Sequence, residues 1–427
     1  MDRHFIPMIL LVAVVGGMVM APCFGQQENG FRAGAALRVV TPDPLLPVSG
    51  GMGEPRPVRE KYGDLFARAV VLEHNGVRVA FVSLDFLGWP GVLCDRIRKQ
   101  VPGIPPENIL IASTHTHSAP DPYGFPDLNG KHGADVEYLH KVCDLAAEAV
   151  NEAVDRLQPA RLRLNVDRAK GKIAYNYYAP QLYDPRCGVI QAREANSEKI
   201  IFTLVNYAIH PEVVGNNKGL LGPDLCGFLY DEIENKTGGM AIFMNSAQGG
   251  MVTADNRTES GKDAETVEEA ERIGRLLASE ALRIIDPAQD LSDPGIFCAA
   301  RNITFPVDNP LMRAAILLSP LGMGMDTGDG STYTAWLNLV NLGPAQILTI
   351  PGEALPNIGY YLKRNMPTRY PFLFGLTNDA LGYILTKVDW MSFDRYQYIS
   401  ETCLGEMTGE LLIDALLAMV KEAPQPK

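Results

Sequence analysis

The stretch from Phe66 to Phe86, FARAVVLEHNGVRVAFVSLDF, most constrains what this 427-residue chain can fold into. Two runs rich in β-branched and aromatic residues flank Asn75-Gly76, the dipeptide most typical of a two-residue hairpin turn. The stretch therefore predicts two antiparallel strands. A hairpin here argues against a barrel in which every strand is parallel and is followed by a helix.

Other apolar runs have the spacing of both strands and helices. Helices are predicted at Asp135–Leu157, Gly227–Asn235 and Thr266–Ile285. Further strands are predicted at Asn108–Ser113, Arg161–Val166, Lys199–Ile209, Met240–Met244 and Gln346–Ile350. No Pro/Ser-rich linker divides the chain. We therefore expect an α/β or α+β fold in which mixed β-sheets pack with helices in layers, as a single large catalytic domain over residues 30–425.

The N-terminus has the pattern of a secretory signal peptide. A short start with one positive charge precedes an almost entirely apolar stretch from Phe5 to Met20, and small residues then lead into polar Gln26. This pattern predicts a signal peptide over residues 1–25 and a secreted or periplasmic protein. The alternative is a membrane anchor, but about 20 apolar residues are usually needed to span a bilayer.

Charge and cysteine content limit the partners and the kind of scaffold. The formal net charge of −12 argues against a nucleic-acid partner, which needs a basic face. Six cysteines follow the predicted cleavage site, and none lies in a CxxC or metal-type cluster. They are expected to be core residues or isolated disulfides: Cys94, Cys143, Cys187, Cys226, Cys298 and Cys403.

Two histidines, His115 and His117, stand one residue apart directly after an apolar run, in LIASTHTHSAP. Residues i and i+2 of a strand point to the same side. If strand geometry continues through Thr114, the two imidazoles share a face, as at the start of many metal sites. A pair of surface or hydrogen-bonded histidines would explain the motif equally well.

Two further polar residues follow predicted strands in the same way. His210 comes directly after a buried strand in NYAIHP, and Glu353 follows another in TIPGE. Three strand ends thus offer two imidazoles and a carboxylate. A catalytic zinc site usually takes three protein ligands of this kind and leaves a position for water. Zinc lowers the pKa of that water toward neutrality, which suits hydrolysis of a carbonyl compound.

The segment STHTHSAP resembles the SSTHTHSGP segment of the neutral, non-lysosomal ceramidases. Other segments resemble that family in the same order: FRAGAALRVVTPD, YGDLFARAVVLEHNGVRVAFVSLD, NYAIHP, TIPGEALPNIG, NDALGYILT and YISETCLG. The resemblance implies a zinc ion held by His115, His210, Glu353 and Tyr383, with His117 beside the metal. A tyrosine ligand follows from the resemblance alone, because spacing would favour a core aromatic at Tyr383.

The chain also departs from the family pattern. Where the family has GDVSPN, with a serine implicated in catalysis, this chain reads GMVTAD: Met251 replaces the aspartate and Thr253 keeps a hydroxyl at the serine position. The segment from Asn176 to Tyr183 lacks the family's arginine. The chain ends soon after the last motif, so the family's C-terminal immunoglobulin-like domain is expected to be absent.

The resemblance implies a secreted zinc-dependent amidohydrolase that acts on ceramide or a related N-acyl lipid or amine. In this hypothesis Thr253 and His117 serve catalysis, and Tyr177 and Tyr178 form the substrate wall. The partner is a small-molecule lipid or N-acyl amine, and contact with a membrane surface is left open. Two alternatives remain: a non-catalytic exported protein that binds lipid or glycan and holds metal only for structure, and a barrel-type metal amidohydrolase.

Overall fold

The hairpin predicted between Phe66 and Phe86 is confirmed. Strands Phe66–His74 and Val77–Leu84 pair antiparallel, and Asn75 and Gly76 both have positive φ angles, 49° and 82°. Two successive residues with positive φ are what a type I′ turn requires. The turn therefore directs the two strands into one sheet as the sequence predicts.

The computed structural model describes Met1 and residues 30–51, 54–127, 129–323 and 329–427. Apart from Met1, the predicted signal peptide lies outside these residues. Eight of the described strands form one mixed sheet: β1 (Phe31–Val39), β2 (Phe66–His74), β3 (Val77–Leu84), β4 (Ile109–Ser113), β5 (Gln158–Arg168), β6 (Arg186–Glu194), β7 (Ile200–Tyr207) and β8 (Met240–Asn245). Their order in the sheet is β8-β7-β6-β5-β1-β2-β3-β4.

A second sheet contains four strands in chain order: β9 (Ile296–Pro306), β10 (Thr332–Leu342), β11 (Ala345–Thr349) and β12 (Tyr370–Phe374). The β3–β4, β7–β8 and β11–β12 pairs are parallel, and the other pairs are antiparallel. The two sheets pack face to face through one buried apolar cluster. In it the rings of Phe81 and Phe374 meet edge to face at 5.4 Å.

Helices cover the outer faces of both sheets. The eight described helices are α1 (Gly91–Arg98), α2 (Val136–Asp155), α3 (Leu225–Thr237), α4 (Val267–Ile285), α5 (Pro310–Leu318), α6 (Pro356–Asn365), α7 (Gln397–Glu401) and α8 (Thr408–Glu422). Helices α1 and α2 pack on one half of the large sheet and α3 and α4 on the other. Helices α5, α6 and α8 pack on the small sheet. The mixed, layered α/β architecture is thus confirmed, and a barrel of parallel strands is not what the chain forms.

The described cysteines and helices settle two further points. The six cysteines of the described residues are free, and all but Cys298 are buried, so core packing accounts for them rather than disulfides. Among the described residues, no helix combines the length and the apolar character that crossing a membrane would require.

Candidate metal centre

His115, His210 and Glu353 each follow the end of a strand. Strand β4 ends at Ser113, β7 at Tyr207 and β11 at Thr349. The three side chains are nevertheless close: the Oε2 atom of Glu353 lies 3.4 Å from Nε2 of His115 and 3.2 Å from Nε2 of His210. All three residues are buried. The convergence expected from three strand ends is therefore present.

The sequence suggested that strand alternation brings His115 and His117 together. That reason is wrong, although the two side chains do lie close to each other. The strand ends at Ser113, and His115 has a φ of 75°, so strand alternation does not continue through it. The rings of His115 and His117 are instead perpendicular, with centroids 4.9 Å apart. A non-glycine residue in this backbone region costs roughly 1–3 kcal/mol. The hydrogen bond from the His115 amide to the Phe86 carbonyl, 2.9 Å, holds it there.

The donor atoms fit a metal ion better than they fit one another. Neither Nε2 of His210 nor Oε2 of Glu353 has a well-aligned hydrogen-bond partner among the described residues, although both atoms are inaccessible to solvent. Two ligand atoms each about 2.0–2.1 Å from one tetrahedral ion lie roughly 3.3 Å apart. The separations from Glu353 to the two imidazoles match that value, which is what a shared cation between them requires.

Backbone carbonyls orient both of these imidazoles. Nδ1 of His115 lies 2.5 Å from the carbonyl of Leu87, and Nδ1 of His210 lies 3.0 Å from the carbonyl of Val252. A carbonyl only accepts, so each Nδ1 must carry the proton. We call the side chains of His115, His210 and Glu353 the cluster. Each Nε2 presents its lone pair to this cluster, the arrangement usual for histidines that bind metal.

His117 completes a group of three histidines. Its ligand nitrogen lies within 4.8 Å of those of His115 and His210, and its Nε2 is buried without a hydrogen-bond partner among the described residues. Its Nδ1 lies 3.6 Å from a carboxylate oxygen of Glu212. His117 therefore stands beside the cluster with one nitrogen directed to an acidic residue and the other unpaired.

The ionisation of these groups follows from burial and from their contacts. Burial lowers the pKa of His115 and of His117 to about 3, so both are neutral near pH 7. Burial also lowers the pKa of His210, but the neighbouring carboxylates of Glu353 and Glu212 outweigh this and raise it overall. Burial would raise the pKa of Glu353, yet the two adjacent imidazoles lower it. The neutral imidazole of His115 and the ionised carboxylate of Glu353 are the forms in which these groups bind metal.

Tyr383 lies beside Glu353 in the backbone. Glu353–Ala354 pairs in parallel with Tyr383–Ile384, and Tyr383 is buried. Its hydroxyl lies 3.2 Å from the Sδ atom of Met251. Burial and the proximity of Glu353 raise its pKa, which favours the phenol in this state. Tyr383 is thus placed next to the cluster, and its role as a ligand stays a prediction from the resemblance.

The other predicted site residues, Thr253, Tyr177 and Tyr178, have different surroundings. Thr253 forms a backbone bridge beside His210, but its hydroxyl makes no hydrogen bond to a described residue. Tyr178 packs against the apolar cluster that contains Tyr383, whereas Tyr177 is exposed. The catalytic role of Thr253 and the substrate-binding roles of Tyr177 and Tyr178 stay predictions.

A cleft of about 60 Å³ opens over the cluster. His115, His117, Glu353 and Tyr383 line it together with residues to which the sequence assigned no role: Gly50, Gly51, Leu87, Tyr123, Phe125, Tyr398 and Thr402. Tyr398 and Thr402 belong to the segment YISETCLG, and the other five carry no motif. Only their positions in the folded protein reveal that these residues line the cleft.

Asn245, at the end of β8, links the two loops that carry the histidines. Its side-chain amide donates to the carbonyls of Thr114 (3.0 Å) and Ile209 (2.7 Å). Its Oδ1 accepts from the amides of Ile209 (3.3 Å) and Ser246 (2.9 Å). Strands β4 and β8 are the two edges of the large sheet, so the sheet must curl for one side chain to reach both loops. Its position directly after the predicted strand Met240–Met244 was the only signal that the sequence offered for Asn245.

With zinc as the probe ion, replacing Asn245 by aspartate should weaken metal binding at this candidate centre by roughly 10–100-fold, the range typical of changes to residues that support a ligand. The carboxylate would face the two carbonyls without a proton to donate, and the loops of His115 and His210 would separate. Titration with a competing chelator measures the effect. Asn302→Asp, at an exposed position on β9, is the matched control. Unchanged zinc affinity in a folded Asn245→Asp protein would contradict the role of this residue.

A comparison of the sequence and a comparison of the structure with known proteins both find ceramidase. No family model matches the chain. The curated neutral ceramidase of Pseudomonas aeruginosa is 25% identical over 252 residues, covering 53% of this chain and 37% of the ceramidase. The crystal structure of neutral ceramidase from Pseudomonas aeruginosa superposes with a TM-score of 0.75 at 16% identity, over 93% of this chain and 75% of that one. A structure of ceramidase complexed with C2 gives a TM-score of 0.76 at 17% identity, over 94% and 76% of the two chains.

The two kinds of comparison show different things. The structural likeness establishes a common fold over nearly all of this chain, whereas the sequence match spans little more than a third of the curated relative. The resemblance drawn from the motifs is thereby confirmed: the chain has the fold of neutral ceramidase and resembles it in sequence over 252 residues.

Proposed function

We propose that this protein is a secreted or periplasmic zinc-dependent hydrolase that cleaves the N-acyl amide bond of ceramide or of a related N-acyl lipid or amine. One observation carries the proposal: buried donor atoms of His115, His210 and Glu353 converge at 3.2–3.4 Å, and those of His210 and Glu353 lack hydrogen-bond partners among the described residues. The resemblance to neutral ceramidase supplies the reaction and the substrate class.

The donor set suits zinc, which takes imidazole nitrogen and carboxylate oxygen in catalytic sites. His115, His210 and Glu353 would hold the ion, with Tyr383 as the fourth ligand that the resemblance implies. Bound there, zinc would activate water and polarise the amide carbonyl. The protein contributes orientation, since Leu87 and Val252 fix which nitrogen of each histidine faces the ion.

His117 is the group best placed to move a proton. Its Nε2 has no partner among the described residues, and its other ring nitrogen lies 3.6 Å from Glu212. A neutral imidazole can take a proton at Nε2 and return it to the amine that leaves, while Glu212 stabilises the charged ring. Thr253 would hydrogen-bond near the reacting carbonyl, and Tyr177 and Tyr178 would contact the substrate.

The second candidate function is non-catalytic. The replacement of the family's aspartate by Met251, whose sulfur contacts the Tyr383 hydroxyl, favours it, because this change lies within the site itself. In that case the protein would hold zinc and bind lipid or glycan without turnover.

Purified protein assayed with and without chelator separates these functions. N-acyl sphingoid bases and other N-acyl amines serve as substrates, and bound zinc is measured on the same sample. Hydrolysis that chelator abolishes and zinc restores supports the hydrolase. Bound zinc without hydrolysis of any of these amides would support the non-catalytic protein.

The proposed export predicts a mature N-terminus near Gln26, because small residues precede it after an apolar stretch. N-terminal sequencing of protein recovered outside the cytoplasm should find this residue. Recovery of a chain that still begins at Met1 in a membrane fraction would instead favour an anchor.

A further inference from the structure

Five large apolar side chains are exposed beside the candidate metal centre. We call Tyr177, Val388, Met391, Phe393 and Tyr398 the apolar rim; each is between 46% and 68% exposed. Four of these residues fall within eleven consecutive positions of the chain. Contiguous exposed apolar side chains on a protein surface usually mark a binding surface.

Ring contacts connect the two parts of the apolar rim. The centroids of Tyr177 and Tyr178 are 5.7 Å apart, those of Tyr178 and Tyr396 are 5.4 Å apart, and those of Tyr396 and Phe393 are 5.3 Å apart. The side chain of Arg395 also donates to the Tyr178 carbonyl at 3.3 Å. Two segments more than two hundred residues apart in sequence therefore form one continuous surface.

This surface continues into the cleft. Tyr398 lines the cleft and lies 6.0 Å, ring to ring, from Tyr383. Tyr178, Trp390 and Tyr396 pack against the buried cluster that contains Tyr383. Tyr398 therefore belongs both to the apolar rim and to the cleft that opens over the candidate metal centre.

The segment that carries four of the five residues of the apolar rim has no net charge. Between residues 386 and 398 there are two cations and two anions, Lys387, Arg395, Asp389 and Asp394, while the whole chain has a formal net charge of −12. Attraction to an anionic surface requires a cluster of cations, and none is present here. Tyrosine and tryptophan combine an apolar ring with a polar tip, which suits the boundary between lipid head groups and acyl chains.

We propose that the apolar rim binds the surface of a lipid bilayer with zwitterionic head groups, so that the cleft opens toward the lipid. The choice of a bilayer rests on the proposed function, since a lipid amide substrate resides there. Binding arises from apolar insertion and not from net charge, so it changes little with salt concentration and does not require anionic lipid.

Co-sedimentation with phosphatidylcholine vesicles tests this, with protein that begins at Gln26, the proposed mature N-terminus. The variants are Phe393→Ser, Met391→Asn and the double variant; asparagine suits position 391 because its φ is 51° and asparagine tolerates this region. Burial of each side chain in lipid favours binding, so the double variant should bind roughly tenfold or more weakly. The control is Val77→Ser, exposed at the far end of β3 from the site. All of these proteins begin at Gln26, so the apolar stretch from Phe5 to Met20 does not contribute and differences between them report the apolar rim.

Equal binding by the wild type and the double variant would overturn the proposal, as would binding that requires anionic vesicles. Dimerisation of the wild type that the double variant loses, without vesicle binding, would assign the surface to a second copy and also overturn it. Zinc content and hydrolysis of a water-soluble short-chain N-acyl amine should be unchanged in the double variant. Vesicle binding without hydrolysis of any amide would disprove the proposed function while leaving the bilayer surface supported.

Discussion

His210→Ala protein should retain almost no zinc and should have no detectable amide hydrolysis. His210 supplies a buried Nε2 atom that lies 3.2 Å from the carboxylate of Glu353. Losing one of three or four ligands breaks the closed coordination geometry on which tight binding depends. The loss of affinity should exceed the roughly 10–100-fold expected where a residue only supports a ligand. Metal analysis after gel filtration measures the zinc that remains.

His140→Ala is the control for this variant. His140 lies on α2 and outside the group of histidines that could hold a metal ion, so its loss should change neither zinc content nor hydrolysis. A His210→Ala protein that is folded and carries one zinc per chain would contradict the assignment of this ligand.

Thr253→Ala protein should keep its full zinc content and lose hydrolysis by at most about 10²–10³-fold, the typical effect of removing one donor to a developing oxyanion. A nucleophilic hydroxyl would need an adjacent base, and Met251, Val252 and Ala254 offer none. The carboxylate of Asp255 is paired with Arg257 through two hydrogen bonds of 2.8 Å. The backbone of Thr253 bridges to His210, and alanine preserves that bridge. Rate and zinc content measured on the same sample test this prediction.

Two results would contradict this role. An acyl group trapped on Thr253 and seen by mass spectrometry would make the threonine a nucleophile. A Thr253→Ala protein as inactive as the zinc-free wild type would show that the hydroxyl does more than donate one hydrogen bond.

Much of the architecture was predictable where local signals were strong. Helices α2 and α4 begin directly after Asp135 and Thr266, whose side chains accept hydrogen bonds from the first-turn amides, and such capping residues can be recognised in a sequence. Strand β1 was not predicted, because FRAGAALRV is rich in alanine and glycine, which are depleted in strands. It forms because it pairs with β2 along its whole length, a contact that no local pattern encodes.

The residues of the candidate site were also predictable only where a local signal marked them. His115, His210 and Glu353 were predictable because each follows a short buried strand, although strand alternation was the wrong reason for placing His115 beside His117. Tyr383 came only from the resemblance, since its contact with the Glu353 segment joins two loops through a pair of two-residue strands. Asn245 and Tyr398 depend on how the large sheet curls and how the C-terminal segment packs, which are properties of the whole fold.

Zinc K-edge X-ray absorption of the zinc-loaded protein tests the central claim most directly, because it reports the atoms bound to the metal independently of activity. We expect two imidazole nitrogens and oxygen ligands at about 2.0–2.2 Å. A sulfur ligand at about 2.3 Å, or a spectrum without imidazole ligands, would contradict the assignment of His115 and His210.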